Sequence, residues 1–184
     1  MCESEQRALL ILDLDECLIH GSETVLHRKP DFQVGPYHVY QRPGLAEFLA
    51  GVADSFELAV WSSASSGYVE RIAAEIRPVG IDWNFVWSCR RCTPRMDHET
   101  METVFIKDLK KVKRLGFSLD RVLFVDDTPA KLARNYGNAV YIQPFEGNDQ
   151  DKELSILLKY LRSLADKTDF RKLEKRGWRS HVAE

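Results

Sequence analysis

Five apolar residues, Ala8 to Leu12, run without a break and stop at an acid, Asp13. A run with no polar alternation is how a strand buried on both faces reads where it emerges at the edge of a sheet. The pattern repeats along the chain. Phe56 to Trp61 is a second such run and ends in Ser62-Ser63-Ala64-Ser65-Ser66-Gly67. Asn84 to Ser88 reads as a third strand, Arg121 to Val125 as a fourth that meets Asp126 and Asp127, and Asn138 to Ile142 as a fifth. Between them apolar residues recur at helical spacing. Leu45, Phe48, Leu49 and Val52 follow Arg42-Pro43-Gly44, a helix runs from Tyr68 to Ile76, and Leu109, Val112 and Leu115 point inward from a helix closed by Gly116. Thr128-Pro129 starts another helix, Leu154 to Leu164 is amphipathic, and Phe170 to Trp178 reads as a last helix. Short apolar strands alternating with helices predict an α/β fold, a Rossmann-like parallel sheet flanked by helices and wound by right-handed crossovers.

Two stretches break this rhythm. From Gly21 to Gln41 the breakers Pro30, Gly35 and Pro36 interrupt short alternating pieces, which predicts a small β flap, about residues 20–41, over the end of the first strand. Residues 89–103 have no clear period and carry Arg90, Arg91, Pro94 and Arg95, which predicts an insertion loop within about 80–105. With a C-terminal helical extension over about 166–184, the chain reads as a single domain, 1–184, with no large cap domain.

Composition narrows the class. The chain has 184 residues, enough for a full core, and a net charge of −2, which gives no global attraction to nucleic acid or membrane. No apolar run has signal-peptide or membrane-spanning length, so the expected location is the cytoplasm, or the nucleus in a eukaryote. Cysteines at 2, 17, 89 and 92 are too few and uneven for a disulfide scaffold. Cys89 and Cys92 have the spacing of half a zinc site, but only His98 stands nearby, and the pair reads as incidental thiols. Lys110, Lys111, Lys113 and Arg114 give one helix a basic face with no aromatic interleaving, better read as solvated than as a nucleic-acid surface.

The chemistry should begin at Asp13. In extended chain Asp13 and Asp15 project to one side, and like charges so close need a cation or a shared proton; the bland alternative is a polar loop capping the next element. Ligands of open parallel sheets bind beyond the carboxyl ends of the strands, where Asp13, Asp15, Ser62, Ser63, Asp126 and Asp127 would meet. Hard carboxylate oxygens suit magnesium, Mg2+, better than zinc, and Lys107 can add a positive charge. Carboxylates, Mg2+, a hydroxyl and an ammonium are the set that phosphoryl transfer requires.

The order Asp-x-Asp, serine, lysine, acidic pair, after an apolar strand, resembles the haloacid dehalogenase superfamily and not the receiver domains of two-component signalling, which put the acidic pair first. Asp13-Leu14-Asp15-Glu16-Cys17-Leu18-Ile19-His20, Arg42-Pro43-Gly44, Trp61-Ser62-Ser63-Ala64-Ser65, Ile106-Lys107-Asp108-Leu109 and Val125-Asp126-Asp127-Thr128-Pro129 resemble the phosphatases of the RNA polymerase II carboxy-terminal domain, the NLI-interacting-factor-like family. The likeness extends through Asn138-Ala139-Val140 and Asp151-Lys152-Glu153-Leu154, covering roughly residues 7–165, and the ending is weakly similar to the ubiquitin-like-domain-containing member.

The resemblance implies a phosphomonoesterase in which Asp13 becomes an aspartyl phosphate and Asp15 is the acid and base. Ser62, with Ser63, and Lys107 would bind phosphate, and Asp13, the Asp15 backbone carbonyl, Asp126 and Asp127 would hold Mg2+. The order of the last two, direct ligand and supporting residue, is open. The implied partner is a phosphorylated protein or peptide, at phosphoserine or phosphothreonine, with phosphotyrosine as the alternative. Another class also stands: relatives that have lost the aspartates act as binding modules, although here the whole set is present. Arg90, Arg91, Arg95 and Tyr40 are expected on the substrate rim. Cys17 stands where relatives usually carry threonine or valine, and is expected to fill space, with sensitivity to oxidation as the sharper alternative.

Overall fold

A computed structural model describes residues 7–96 and 101–182. In chain order the elements are β1 (Ala8–Leu12), β2 (Ile19–Ser22), β3 (Phe32–Val34), β4 (Tyr37–Gln41), α1 (Leu45–Ala53), β5 (Phe56–Trp61), α2 (Ser66–Glu75), β6 (Trp83–Trp87), β7 (Thr93–Met96), β8 (Thr103–Ile106), α3 (Lys110–Lys113), β9 (Val122–Asp126), β10 (Ala139–Tyr141) and α4 (Glu153–Leu164). Five strands form one parallel sheet in the order β10-β9-β1-β5-β6.

β1 lies at its centre, and all five of its residues are fully buried. Successive side chains leave a strand on opposite faces, so the run divides between two cores. Ala8, Leu10 and Leu12 join the cluster built with Phe48, Leu49 and Leu161, whereas Leu9 and Ile11 join Trp61, Val112 and Phe124. This is why β1 shows no polar alternation: neither face meets water. α1, α2 and α4 supply the first face, and α1 and α4 pack so closely that a Cβ on Gly51 would lie 2.9 Å from Leu158. α3 and the 3-10 turn Pro129–Leu132 cover the second face.

The chain leaves β1 for β5 on one side and returns to β9 on the other, so the order reverses at β1. A parallel sheet opens its binding crevice at such a point, beyond the carboxyl ends of the strands. The register sets Leu12 beside both Val60 and Val125, which brings the residues that follow, Asp13, Trp61-Ser62 and Asp126, to one level.

The flap is a three-stranded antiparallel sheet, β2-β4-β3, more regular than a hairpin. The insertion also departs from expectation. It contains a two-stranded hairpin, β7 with β8, preceded by a 3-10 turn at Cys89–Arg91. Thr103–Ile106, at the end of the expected insertion loop, is therefore strand. α3 is a single four-residue turn, and Leu115, expected to point inward, is exposed. Helices expected after Thr128-Pro129 and over Phe170 to Trp178 are 3-10 turns, Pro129–Leu132, Phe170–Lys172 and Trp178–His181. Trp178 anchors the last by stacking on Tyr160 at 5.3 Å and donating its indole N–H to the Tyr141 carbonyl. No helix among the described residues is long and apolar enough to cross a membrane.

Candidate active site

The loop after β1 is fixed before any side-chain chemistry is considered. The Asp13 amide donates to the Val125 carbonyl at 3.0 Å, tying the end of β1 to β9. The amides of Cys17, Leu18 and Ile19 all donate to the Leu14 carbonyl, which closes a tight turn. Glu16 at its apex takes a φ of 60°, a conformation costly for a side chain bearing a Cβ. Two ties hold it there: its carboxylate meets His20 Nδ1 at 2.9 Å, and its carbonyl accepts from the Phe145 amide.

Arg42 completes the frame. It is fully buried, forks onto Asp151 through Nε at 2.9 Å and Nη2 at 2.8 Å, and donates from Nη1 to the Cys17 carbonyl. Two stretches of the motif set far apart in sequence are thus joined under the loop. Both hydrogen bonds favour the ionised carboxylate, and although burial pushes the Asp151 carboxyl up, they and the Glu153 amide hold it below its usual range.

Asp13 lies wholly buried at the floor. Lys107 Nζ, just past β8, stands 2.7 Å from Asp13 Oδ2 and 2.8 Å from Asp126 Oδ2. A second ammonium, Lys131, reaches in from the 3-10 turn after β9, 3.1 Å from the same Asp13 oxygen. Burial pushes the Asp13 carboxyl up, but the two lysines outweigh it and keep it in the charged form. Lys107 stays protonated against burial because Asp13 and Asp126 flank it. Asp126 is pushed up to about 6, by burial first and the charge of Asp13 second.

Asp15 has the opposite environment. Burial raises its carboxyl, the nearby Asp13 charge adds to this, and the Tyr68 hydroxyl, donating to Oδ1 at 2.7 Å, only partly opposes it. Two aspartates two residues apart are therefore shifted in opposite directions. Tyr68 comes from α2, and Gly21 on the flap lets it in: a Cβ there would lie 2.6 Å from the Tyr68 hydroxyl. Neither residue stands out in the sequence, because Tyr68 reads as the start of a helix and Gly21 only as the start of an irregular stretch.

The other expected residues sort as follows. Ser62 is buried at the end of β5 and turns its hydroxyl oxygen to the Ala64 amide at 3.0 Å, while Ser63 is half-buried beside it. Arg90, Arg91 and Arg95 are exposed, with Arg91 over the Trp87 ring at 5.1 Å. Tyr40, expected on the rim, is fully buried within the flap. It lies under Arg28, and its hydroxyl accepts from the Leu26 amide, so it is a structural residue of the flap. Cys17 is buried too, and burial together with Asp13, Asp126 and Asp127 raises its thiol well above its usual range, which disfavours the reactive thiolate. Lys111, part of the basic face, donates to the Arg91 and Cys92 carbonyls and so pins the turn that carries the arginines. Cys2 and His98 lie outside the described residues.

The donor set fits a hard divalent ion. Among the described residues, one oxygen each of Asp13 and Asp127 and the Cys17 sulfur lie within 4.8 Å of one another. A protonated thiol is a poor ligand, which leaves the two carboxylates, and oxygen donors of this kind suit magnesium. Asp126 is differently engaged: Oδ2 is held by Lys107 and Oδ1 accepts from the Thr128 amide at 2.9 Å. Asp127 is held through Oδ1, which accepts from the Thr128 hydroxyl at 3.0 Å, and its Oδ2 is the oxygen of the pair left to offer.

The central parallel sheet, its acids at the crevice and the small flap make up a haloacid dehalogenase-type fold. Residues 8–171 match the model of the NLI interacting factor-like phosphatases, and the chain belongs to that family. It is 29% identical over 170 residues to a probable C-terminal domain small phosphatase of Dictyostelium discoideum, covering 88% of this chain and 52% of the relative. It is 27% identical over 195 residues to ubiquitin-like domain-containing CTD phosphatase 1 of Xenopus laevis, covering 98% and 57%. The chain thus spans a little over half the length of these relatives. Its fold superposes with a TM-score of 0.66, at 19% identity over 86% of this chain and 62% of the other, on fission yeast RNA polymerase II CTD phosphatase Fcp1 bound to beryllium fluoride.

Proposed function

We propose that the chain is a magnesium-dependent phosphomonoesterase that works through an aspartyl phosphate on Asp13. The observation that carries this reading is the different surroundings of the two aspartates: Lys107 and Lys131 sit against Asp13 and favour the ionised form that a nucleophile needs, whereas burial pushes the Asp15 carboxyl up, in the direction an acid needs.

Asp13 attacks phosphorus while Asp15 passes its proton to the leaving oxygen. Asp15, now a carboxylate, then takes a proton from the water that cleaves the aspartyl phosphate, and Tyr68 steadies it through both steps. Lys107 offsets charge on Asp13 and on the phosphoryl group, and the Ser62 hydroxyl, just beyond the end of β5, would bind a phosphoryl oxygen. Asp13, the Asp15 carbonyl and Asp127 would hold Mg2+, with Asp126 braced behind them by Lys107. When bound, the ion neutralises charge on the phosphoryl oxygens.

The substrate proposed is phosphoserine or phosphothreonine in a protein segment, as the relatives named CTD phosphatases suggest. A flap of three short strands leaves the mouth open to a chain, and Arg90, Arg91 and Arg95 would meet acidic or phosphorylated residues flanking the target. The test is hydrolysis of p-nitrophenyl phosphate and of phosphopeptides with and without Mg2+. Wild type should need the ion, Asp13→Asn should be inactive, and charge reversal at the three arginines should raise KM for a phosphopeptide while sparing p-nitrophenyl phosphate. Equal hydrolysis by wild type and Asp13→Asn overturns the enzyme reading. A preference for phosphotyrosine peptides overturns the substrate assignment alone.

A further inference from the structure

Lys107 accounts for one of the two ammonium groups at Asp13; Lys131 remains. Its Nζ lies 3.1 Å from Asp13 Oδ2, 3.6 Å from Asp127 Oδ1 and 3.9 Å from Asp126 Oδ1. The first two contacts are with the two carboxylates that a divalent ion would use. Unlike Lys107, whose side chain is fully buried, Lys131 enters from the mouth with 21% of its side chain exposed, so a long flexible stem can withdraw into water. Its position is set by the backbone: the 3-10 turn begins directly after Asp126-Asp127, which places residue 131 one turn beyond Asp127, and its carbonyl accepts from the Lys107 amide at 2.8 Å. Four aspartates, at 13, 15, 126 and 127, converge here, and among the described residues the other ammonium in ion-pair contact with them is Lys107, on Asp13 and Asp126.

We propose that Lys131 is a built-in competitor for the divalent ion, its ammonium holding Asp13 and Asp127 together while the site is free of metal and lowering the affinity with which the ion enters. The inference rests on the magnesium reading above. Whether the ammonium retracts or stays nearby, a cation within a few ångströms of a divalent ion opposes it, and the opposition is strong because the floor of the site is buried. The same cation relieves repulsion among the carboxylates in the free protein, so it sets how much the protein gains in stability when the ion binds.

The probe is Mn2+, followed by the loss of the free-ion electron paramagnetic resonance signal as protein is added, a readout independent of turnover. Lys131→Met keeps the apolar stem and removes the charge, and should bind Mn2+ about tenfold or more tightly than wild type. Lys131→Gln should behave likewise, and Lys131→Arg should keep the wild-type affinity. The thermal midpoint of metal-free Lys131→Met should fall, and its rise on adding Mn2+ should exceed that of wild type; the two neutral variants give independent routes should one fold poorly. Equal or weaker Mn2+ binding by both neutral variants overturns the proposal and leaves the magnesium reading standing. Absence of binding in wild type and variants alike overturns the magnesium reading, and this inference with it.

Discussion

Gly21→Ala should disable the acid at the far side of the site, through a tyrosine. The added Cβ would sit 2.6 Å from the Tyr68 hydroxyl, whereas ordinary contact begins near 3.4 Å, so the hydroxyl has to retreat by about 0.8 Å. A shift of that size along its bond to Asp15 takes 2.7 Å to about 3.5 Å, beyond useful hydrogen bonding. A hydrogen bond to a charged acceptor is worth about 1.5–3 kcal/mol, so kcat should fall by about 10- to 150-fold if the bond is fully expressed in the transition state. The assay is a double-mutant cycle with Tyr68→Phe, measured as kcat and KM on p-nitrophenyl phosphate. Without the hydroxyl there is nothing for the Cβ to displace: Gly21→Ala should cost little in the Tyr68→Phe background. If it costs as much there as in wild type, Gly21 does not act through Tyr68 and the reasoning is refuted.

Two further outcomes follow from the frame and the charges. Arg42→Met leaves the partly buried Asp151 carboxylate without its partner and frees the Cys17 carbonyl, and should destabilise by about 3–5 kcal/mol in denaturant unfolding. Arg42→Met with Asp151→Leu should cost less than Arg42→Met alone; a single-variant loss below about 1 kcal/mol refutes the clamp. For pH, the proton of Asp15 is lost as pH rises through its raised value, so the rate should fall on the alkaline side of that point. Tyr68→Phe removes a bond that favours the carboxylate, and should move this limb to higher pH; a limb that moves lower contradicts the assignment.

The strands were legible because burial on both faces leaves an uninterrupted apolar run, and each run ends where the crevice begins, at Asp13, Ser62 and Asp126. The hairpin β7–β8 was not. Thr93-Pro94-Arg95-Met96 is largely exposed, carries a proline and has no face to bury, so no period of two betrays it. The last segment escaped for a related reason. Trp178 is held by Tyr160 and the Tyr141 carbonyl, contacts made across the fold and invisible to helical spacing.

Within the site the sequence marked the groups whose types bear chemistry and missed those that position them. Arg42 read as the opening of a helix, yet its guanidinium lies under the loop that follows β1. The different surroundings of Asp126 and Asp127 had no sequence signal at all, because they depend on which oxygens Lys107 and Thr128 already occupy. Lys131 offered one: it stands four residues after Asp127, the spacing at which side chains one turn apart meet.

The central claim is covalent, and it can be caught. Rapid quenching of the enzyme with substrate and Mg2+, followed by borohydride reduction, converts an aspartyl phosphate to homoserine at the residue that carried it. The account predicts homoserine at position 13 in the digested peptide, dependent on substrate and absent from Asp13→Asn. Steady turnover with homoserine at another aspartate, or with no reducible acyl phosphate at any time point, would contradict it.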